Sequence, residues 1–116
     1  EFERLTGARP AADRIVSARQ AAAALDAVVL LKGPTTVVAS PGGEVRLITS
    51  GDARLATAGT GDVLSGVIAA GMAAGMDSLT AAALGGFMHG RAGTRTRQKH
   101  PLASDLLRHL APEWCV

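Results

Sequence analysis

Cysteine, tyrosine and tryptophan are nearly missing from the 116 residues: one, none and one, with only two phenylalanines. With Cys115 alone, neither an intramolecular disulfide nor a cysteine cluster for a metal is possible, which fits a reducing compartment. Aromatics at 3% leave no surface of rings for stacking nucleic-acid bases. The basic run RAGTRTRQKH, Arg91 to His100, has no aromatic interleaved and reads as a solvated helix end, where cations are favoured. A net charge of +2 names no partner. Long apolar runs are absent as well. The uncharged stretch from Val63 to Met76 falls short of the ~20 residues that span a bilayer. Glu1 to Arg4 is charged and no apolar run follows, so no secretory signal is expected. The expectation is a soluble, cytoplasmic protein with neither membrane nor nucleic acid as a partner.

Small and aliphatic residues fill the space. Hydrophobic residues make up 47% and charged ones 19%, a balance that favours one folded domain over disorder. A core made of Leu, Val and Ile, with backbones close together across Ala and Gly, is expected. Met72, Met76 and Met88 are expected as core fillers.

AADRIVSARQAAAALD, residues 11 to 26, predicts a helix with Pro10 near its start. AVVLLKG is a short apolar run ended by Lys32 and Gly33, the pattern of a sheet strand buried on both faces. TTVVAS and EVRLITS around Pro41-Gly42-Gly43 predict a hairpin. Gly51 to Gly61 shows no period and reads as loop. From Asp62, Leu64, Val67, Ile68, Gly71 and Met72 form one apolar helical stripe, closed by Gly75-Met76-Asp77. A second helix is expected from Ser78 or Thr80, and a third from Ser104 to Pro112. The order is helix, buried strand, hairpin and three helices, an α/β arrangement.

The chemistry gathers at ATAGTGDVLSG, residues 56 to 66. Gly59 and Gly61 permit backbone angles closed to other residues and let a ligand approach the main chain. The free N–H groups and the dipole of the following helix favour an anion there. Asp62 would repel phosphate unless it serves another end, such as accepting the proton of a hydroxyl that attacks phosphorus. Taken alone, the motif fits an ordinary helix start equally well.

LATAGTGDVLSGVIAAGMAAG resembles the signature of the ribokinase-like superfamily, and within it most closely that of the ADP- or ATP-dependent NAD(P)H-hydrate dehydratases. EFERLTG resembles the end of that family's H-P-G-E-F segment. LLKGPTTVVASPGGEVRLITSG resembles its strand, nucleotide-contacting turn and hairpin. GGFMHGRAG and LASDLLRHLAPEW resemble its last helices. Thr94 departs from the Asp common at that place. The resemblance implies a three-layer α/β/α sandwich, present here as its C-terminal part, with residues 1–116 belonging to one domain. The N-terminal part would complete the sheet, and the chain alone is expected to be inactive and to associate or precipitate.

The resemblance also implies the chemistry. ADP or ATP phosphorylates the added hydroxyl of hydrated NADH or NADPH, and the phosphate then leaves to restore the double bond. Asp62 would be the catalytic base and touch the substrate. Gly59, Thr60 and Gly61 would offer backbone donors to the transferring phosphate. Lys32, Gly33, Pro34, Thr35 and Thr36 would contact the nucleotide. Mg²⁺ is expected to accompany it, with no dedicated protein metal site. Partners implied are the hydrate, the adenine nucleotide, further copies of the chain in a homo-oligomer, and a hydrate epimerase, fused or separate. His89 is read as a helix-face residue outside the site. Two alternatives stand beside this reading: a vitamin or sugar kinase, and a non-catalytic part that needs its other half.

Overall fold

Asp13, not Pro10, starts the first long helix. Its carboxylate accepts the backbone N–H groups of Ile15 at 2.9 Å and Val16 at 3.1 Å, the bonds a helix start otherwise lacks. The computed structural model describes residues Glu1 to Trp114, with side chains to Leu110, and Cys115 lies outside the described residues. The chain forms two compact units, Glu1–Ile48 and the remainder from Thr49.

In the first unit, α1 (Phe2–Thr6) ends at Gly7, and α2 spans Arg14–Leu25. Strands β1 (Val29–Leu31), β2 (Thr36–Ala39) and β3 (Val45–Ile48) follow. They lie in the order β1-β2-β3, with both pairs antiparallel. The alanines of α2 explain its packing. Ala18, Ala21 and Ala22 are buried against Val29, Val37 and Ala39, and side chains this small let the helix lie close to the sheet.

The expected hairpin is present. Ser40 N–H donates to the Glu44 carbonyl at 2.9 Å, and Gly43 supplies a φ of 91°. AVVLLKG forms the expected strand. Among the described residues β1 pairs antiparallel with β2, with Val29 buried and Leu30 and Leu31 half-buried. The short link from Lys32 to Thr35 accounts for that pairing, since two parallel neighbours need a crossover of about a dozen residues.

In the second unit a single 3-10 turn (Ala53–Leu55) lies within the expected loop. Helix α3 spans Thr60–Ala73, α4 spans Ser78–Arg95 and α5 spans Ala103–Trp114. Their core joins Val67, Met88, Ala92, Leu106 and Leu110, with Leu55 and Val63 against it. Three expectations shift here. α3 begins at Thr60 rather than Asp62, because the N–H and hydroxyl of Thr60 both turn back to Thr57. α5 continues through Pro112 to Trp114, carrying the loss of one backbone donor near its end. Of the methionines, Met88 is buried and Met76 half-buried, but Met72 at the end of its stripe is exposed.

Close approach across glycine holds α3 and α4 together. A Cβ added at Gly85 would stand 2.7 Å from Cγ1 of Ile68. No helix among the described residues is long and apolar enough to cross a membrane.

Candidate active site at the start of helix α3

Gly59 sits at φ 85°, the left-handed region, and turns the chain into α3 with no side-chain cap behind it. Thr60 N–H is occupied by the Thr57 carbonyl at 3.3 Å. The next two N–H groups, of Gly61 and Asp62, have no intrahelical acceptor by position and no side-chain cap. With the helix dipole they make a place suited to an oxyanion. Gly61 is helical, so of the two glycines only Gly59 uses an angle closed to other residues.

Asp62 lies in the first helical turn with its side chain exposed. Its carboxylate makes no hydrogen bond or ion pair among the described residues, which leaves its lone pairs uncommitted. Thr60 points the other way. It is 1% exposed, and its hydroxyl lies 2.7 Å from the Leu55 carbonyl and 2.8 Å from that of Thr57. Thr60 thus ties the helix start to the loop before it.

That loop is fastened to α4 at successive points. Ser50 hydroxyl donates to the Phe87 carbonyl at 2.9 Å. Gly90 lets the Ser50 backbone pass, since a Cβ there would lie 2.4 Å from the Ser50 carbonyl oxygen. Leu55 rests on Gly93, where an added Cβ would meet it at 2.6 Å. Arg54 donates to the carbonyls of Thr96 at 3.0 Å, Gln98 at 3.2 Å and Gly93 at 3.3 Å, satisfying acceptors at the C-terminal end of α4. His89, 4% exposed, closes the series: its Nε2 stands 2.8 Å from the Thr60 carbonyl.

Asp52 holds Arg54 in place, with Nη2 to Oδ2 at 2.8 Å and Nε to Oδ1 at 3.0 Å. The Arg54 guanidinium, and then the Arg54 backbone N–H, hold the Asp52 carboxyl below its ordinary value of 3.8, while burial opposes them. The same pairing raises Arg54 above its ordinary value, so it stays charged. Because the folded pKa of Asp52 is the lower one, its contribution to stability is complete above 3.8 and is lost as pH falls through the folded value. The side chains are 31% and 40% exposed, so the effect is modest and weakened by salt. Thermal melts of Asp52→Asn should show a smaller loss of stability than the parent on passing below pH 3.8. Identical acid limbs would contradict this role for Asp52.

The other expected site residues lie in the first unit. Lys32, Gly33 and Pro34 are exposed and Thr35 and Thr36 half-buried, forming the turn between β1 and β2. Arg14 braces that turn from α2, donating through Nη2 to the Lys32 carbonyl and, at 3.4 Å, to that of Leu31. The structure therefore brings Gly59, Thr60, Gly61 and Asp62 together on one helix start and Lys32 to Thr36 together on one turn, each in its own unit. Sequence reasoning missed Arg14 and Arg54 and named no partner for His89, since all three bond to groups distant in the chain. Among the described residues the Thr94 hydroxyl makes a local bond, to the Arg91 carbonyl at 2.9 Å.

Among the described residues no group of three or more His, Cys, Asp or Glu is placed to hold a metal. One exposed carboxylate, Asp62, beside a phosphate-suited helix start fits an Mg²⁺ ion held chiefly by nucleotide phosphates and water.

The family model described as NAD(P)H-hydrate dehydratase matches residues 1–113. The chain belongs to that family. Among its relatives is the ADP-dependent (S)-NAD(P)H-hydrate dehydratase of Neisseria meningitidis, 42% identical over 110 residues, which are 92% of this chain and 37% of that protein. The bifunctional NAD(P)H-hydrate repair enzyme Nnr of Mycobacterium leprae is 51% identical over 92 residues, 79% of this chain and 20% of the other. The chain thus spans well under half the length of these curated relatives. Among solved structures, Bacillus subtilis YxkO of the UPF0031 family superposes with a TM-score of 0.88 at 32% identity, covering 97% of this chain and 45% of that one. The ADP/ATP-dependent NAD(P)H-hydrate dehydratase of Bacillus subtilis, co-crystallized with ATP/Mg²⁺ and soaked with CoA, gives 0.77 at 31% identity, with 96% and 45% covered. These likenesses bear out the dehydratase family and the ribokinase-like α/β fold expected from the sequence.

Proposed function

We propose that the chain is the C-terminal part of a dehydratase domain that returns hydrated NADH or NADPH to the reduced dinucleotide with ADP or ATP. The observation that carries this is the start of α3 in a chain of this family: two unpaired backbone donors directly beside an unpartnered carboxylate. Phosphoryl transfer to a hydroxyl needs both, one to hold the migrating phosphoryl group and one to accept the hydroxyl proton.

In this proposal Asp62 takes the proton of the hydrate's hydroxyl as its oxygen attacks the terminal phosphorus. The N–H groups of Gly61 and Asp62 receive the charge that develops on the phosphoryl oxygens. Lys32 and the turn to Thr36 contact the nucleotide, with Arg14 fixing that turn. Phosphate is a far better leaving group than hydroxide, so it departs with its bonding electrons while the adjacent ring carbon loses a proton, and the nicotinamide double bond is restored. A bound Mg²⁺, held chiefly by the nucleotide phosphates and water, would supply charge neutralisation on the phosphates. We take ADP as one usable donor because the Neisseria relative is named ADP-dependent.

Gly59→Ala tests the anion hole. A side chain at φ 85° is strained, and its Cβ would sit 3.2 Å from Cβ of Ala103. Left-handed backbone costs an L-residue roughly 1–2 kcal/mol, so relaxing it at the expense of the loop lowers ADP affinity roughly tenfold. Calorimetry on the full-length polypeptide, with a melting curve to confirm folding, reads this out. Unchanged affinity would count against phosphate binding at this helix start.

A further inference from the structure

We infer that His89 is a positioning residue of the phosphoryl-transfer site, acting through the Thr60 carbonyl. The inference rests on the proposed function for its catalytic meaning and on geometry for its contact.

His89 lies on α4 and is buried at 4% exposure, with its Nε2 2.8 Å from the Thr60 carbonyl oxygen. A carbonyl only accepts, so Nε2 carries the proton and His89 donates. Thr60 is the first residue of α3, and its carbonyl precedes the Gly61 N–H in the same peptide unit. A planar peptide rotates as one body. Fixing the oxygen from the α4 side therefore fixes the opposite direction of the Gly61 N–H, the donor intended for phosphate. The Asp62 backbone follows one peptide later.

The other tethers of this segment act elsewhere. The Thr60 hydroxyl faces the carbonyls of Leu55 and Thr57, Arg54 reaches the end of α4, and Ser50 bonds to Phe87. Among the described residues, His89 is the side chain that bonds to the peptide between Thr60 and Gly61. Its neighbours on α4 suit this task. Gly90 and Gly93 admit the backbone at Ser50 and the side chain of Leu55, so the helix can lie close enough for an imidazole to reach Thr60.

The test uses the full-length polypeptide in three forms: parent, His89→Met and His89→Gln. Methionine keeps much of the volume without a donor, and the glutamine amide can donate from a similar reach. His89→Met is expected to lower kcat by about 10²-fold, the scale of a small misplacement of reacting groups. KM for the hydrate should change far less, and His89→Gln should recover most of the loss. Amide NMR signals of Gly61 and Asp62, recorded on the same samples, report the geometry whatever the substrate proves to be. They should shift in His89→Met and return toward the parent in His89→Gln.

Unmoved amides in a folded His89→Met protein would overturn the inference, as would a glutamine variant as impaired as the methionine one. A parent enzyme without hydrate turnover would refute the proposed function instead, leaving the amide shifts to decide the contact.

Discussion

Asp62→Asn in the full-length polypeptide is expected to lower hydrate turnover by ~10²–10⁴-fold with nucleotide binding kept, the range for losing a general base. The substitution is nearly isosteric. It leaves the Gly61 and Asp62 N–H groups where they are and removes only a basic oxygen. Because the Asp62 carboxylate makes no bond within the chain among the described residues, its loss disturbs no fold contact. That makes the experiment informative: a fall in turnover cannot be assigned to a broken tether. Steady-state kinetics with calorimetry on the same protein read both quantities. Turnover near that of the parent would remove Asp62 from the base role.

Gly90→Ala is expected to destabilise the second unit and cripple the site together. Two opposing effects meet there. Alanine in a helix interior gains about 1 kcal/mol over glycine. Against this, the new Cβ would lie 2.4 Å from the Ser50 carbonyl oxygen and 2.5 Å from its carbon. Those are backbone atoms, which cannot swing aside like the tip of a side chain. Overpacking of this kind costs typically about 1–3 kcal/mol, so the clash wins over the helical gain. Relief requires moving the segment that leads to Gly59, and activity should fall with stability. Gly66→Ala is the control, since its Cβ would meet nothing within 4 Å and only the helical gain remains. Chemical denaturation of both variants decides the sign. A Gly90→Ala protein as stable as Gly66→Ala would show that α4 does not hold the loop by close contact.

The elements with a clear period were legible from residues alone. The hairpin around Pro41-Gly42-Gly43 and the stripe from Leu64 to Gly71 appear where the pattern placed them. Boundaries were less legible because caps compete. Pro10 and Asp13 both signal a helix start, and Asp13 makes the bonds. An apolar run looks alike in parallel and antiparallel strands, and for β1 and β2 the short Lys32–Thr35 link sets the pairing. The glycine cluster before Asp62 pointed to the site, since turn chemistry is local. What holds that cluster in place was not legible. Arg54, His89 and Gly90 act on residues far away in sequence, and neither composition nor spacing carries such pairings.

The most direct measurement mixes the full-length polypeptide with hydrated NADPH, ADP and Mg²⁺, following reduced-dinucleotide absorbance and released inorganic phosphate together. The account predicts that both appear in equal amounts, that neither appears without nucleotide, and that Asp62→Asn slows both alike. Recovery of reduced dinucleotide without phosphate release, or nucleotide consumption that leaves the hydrate untouched, would contradict it.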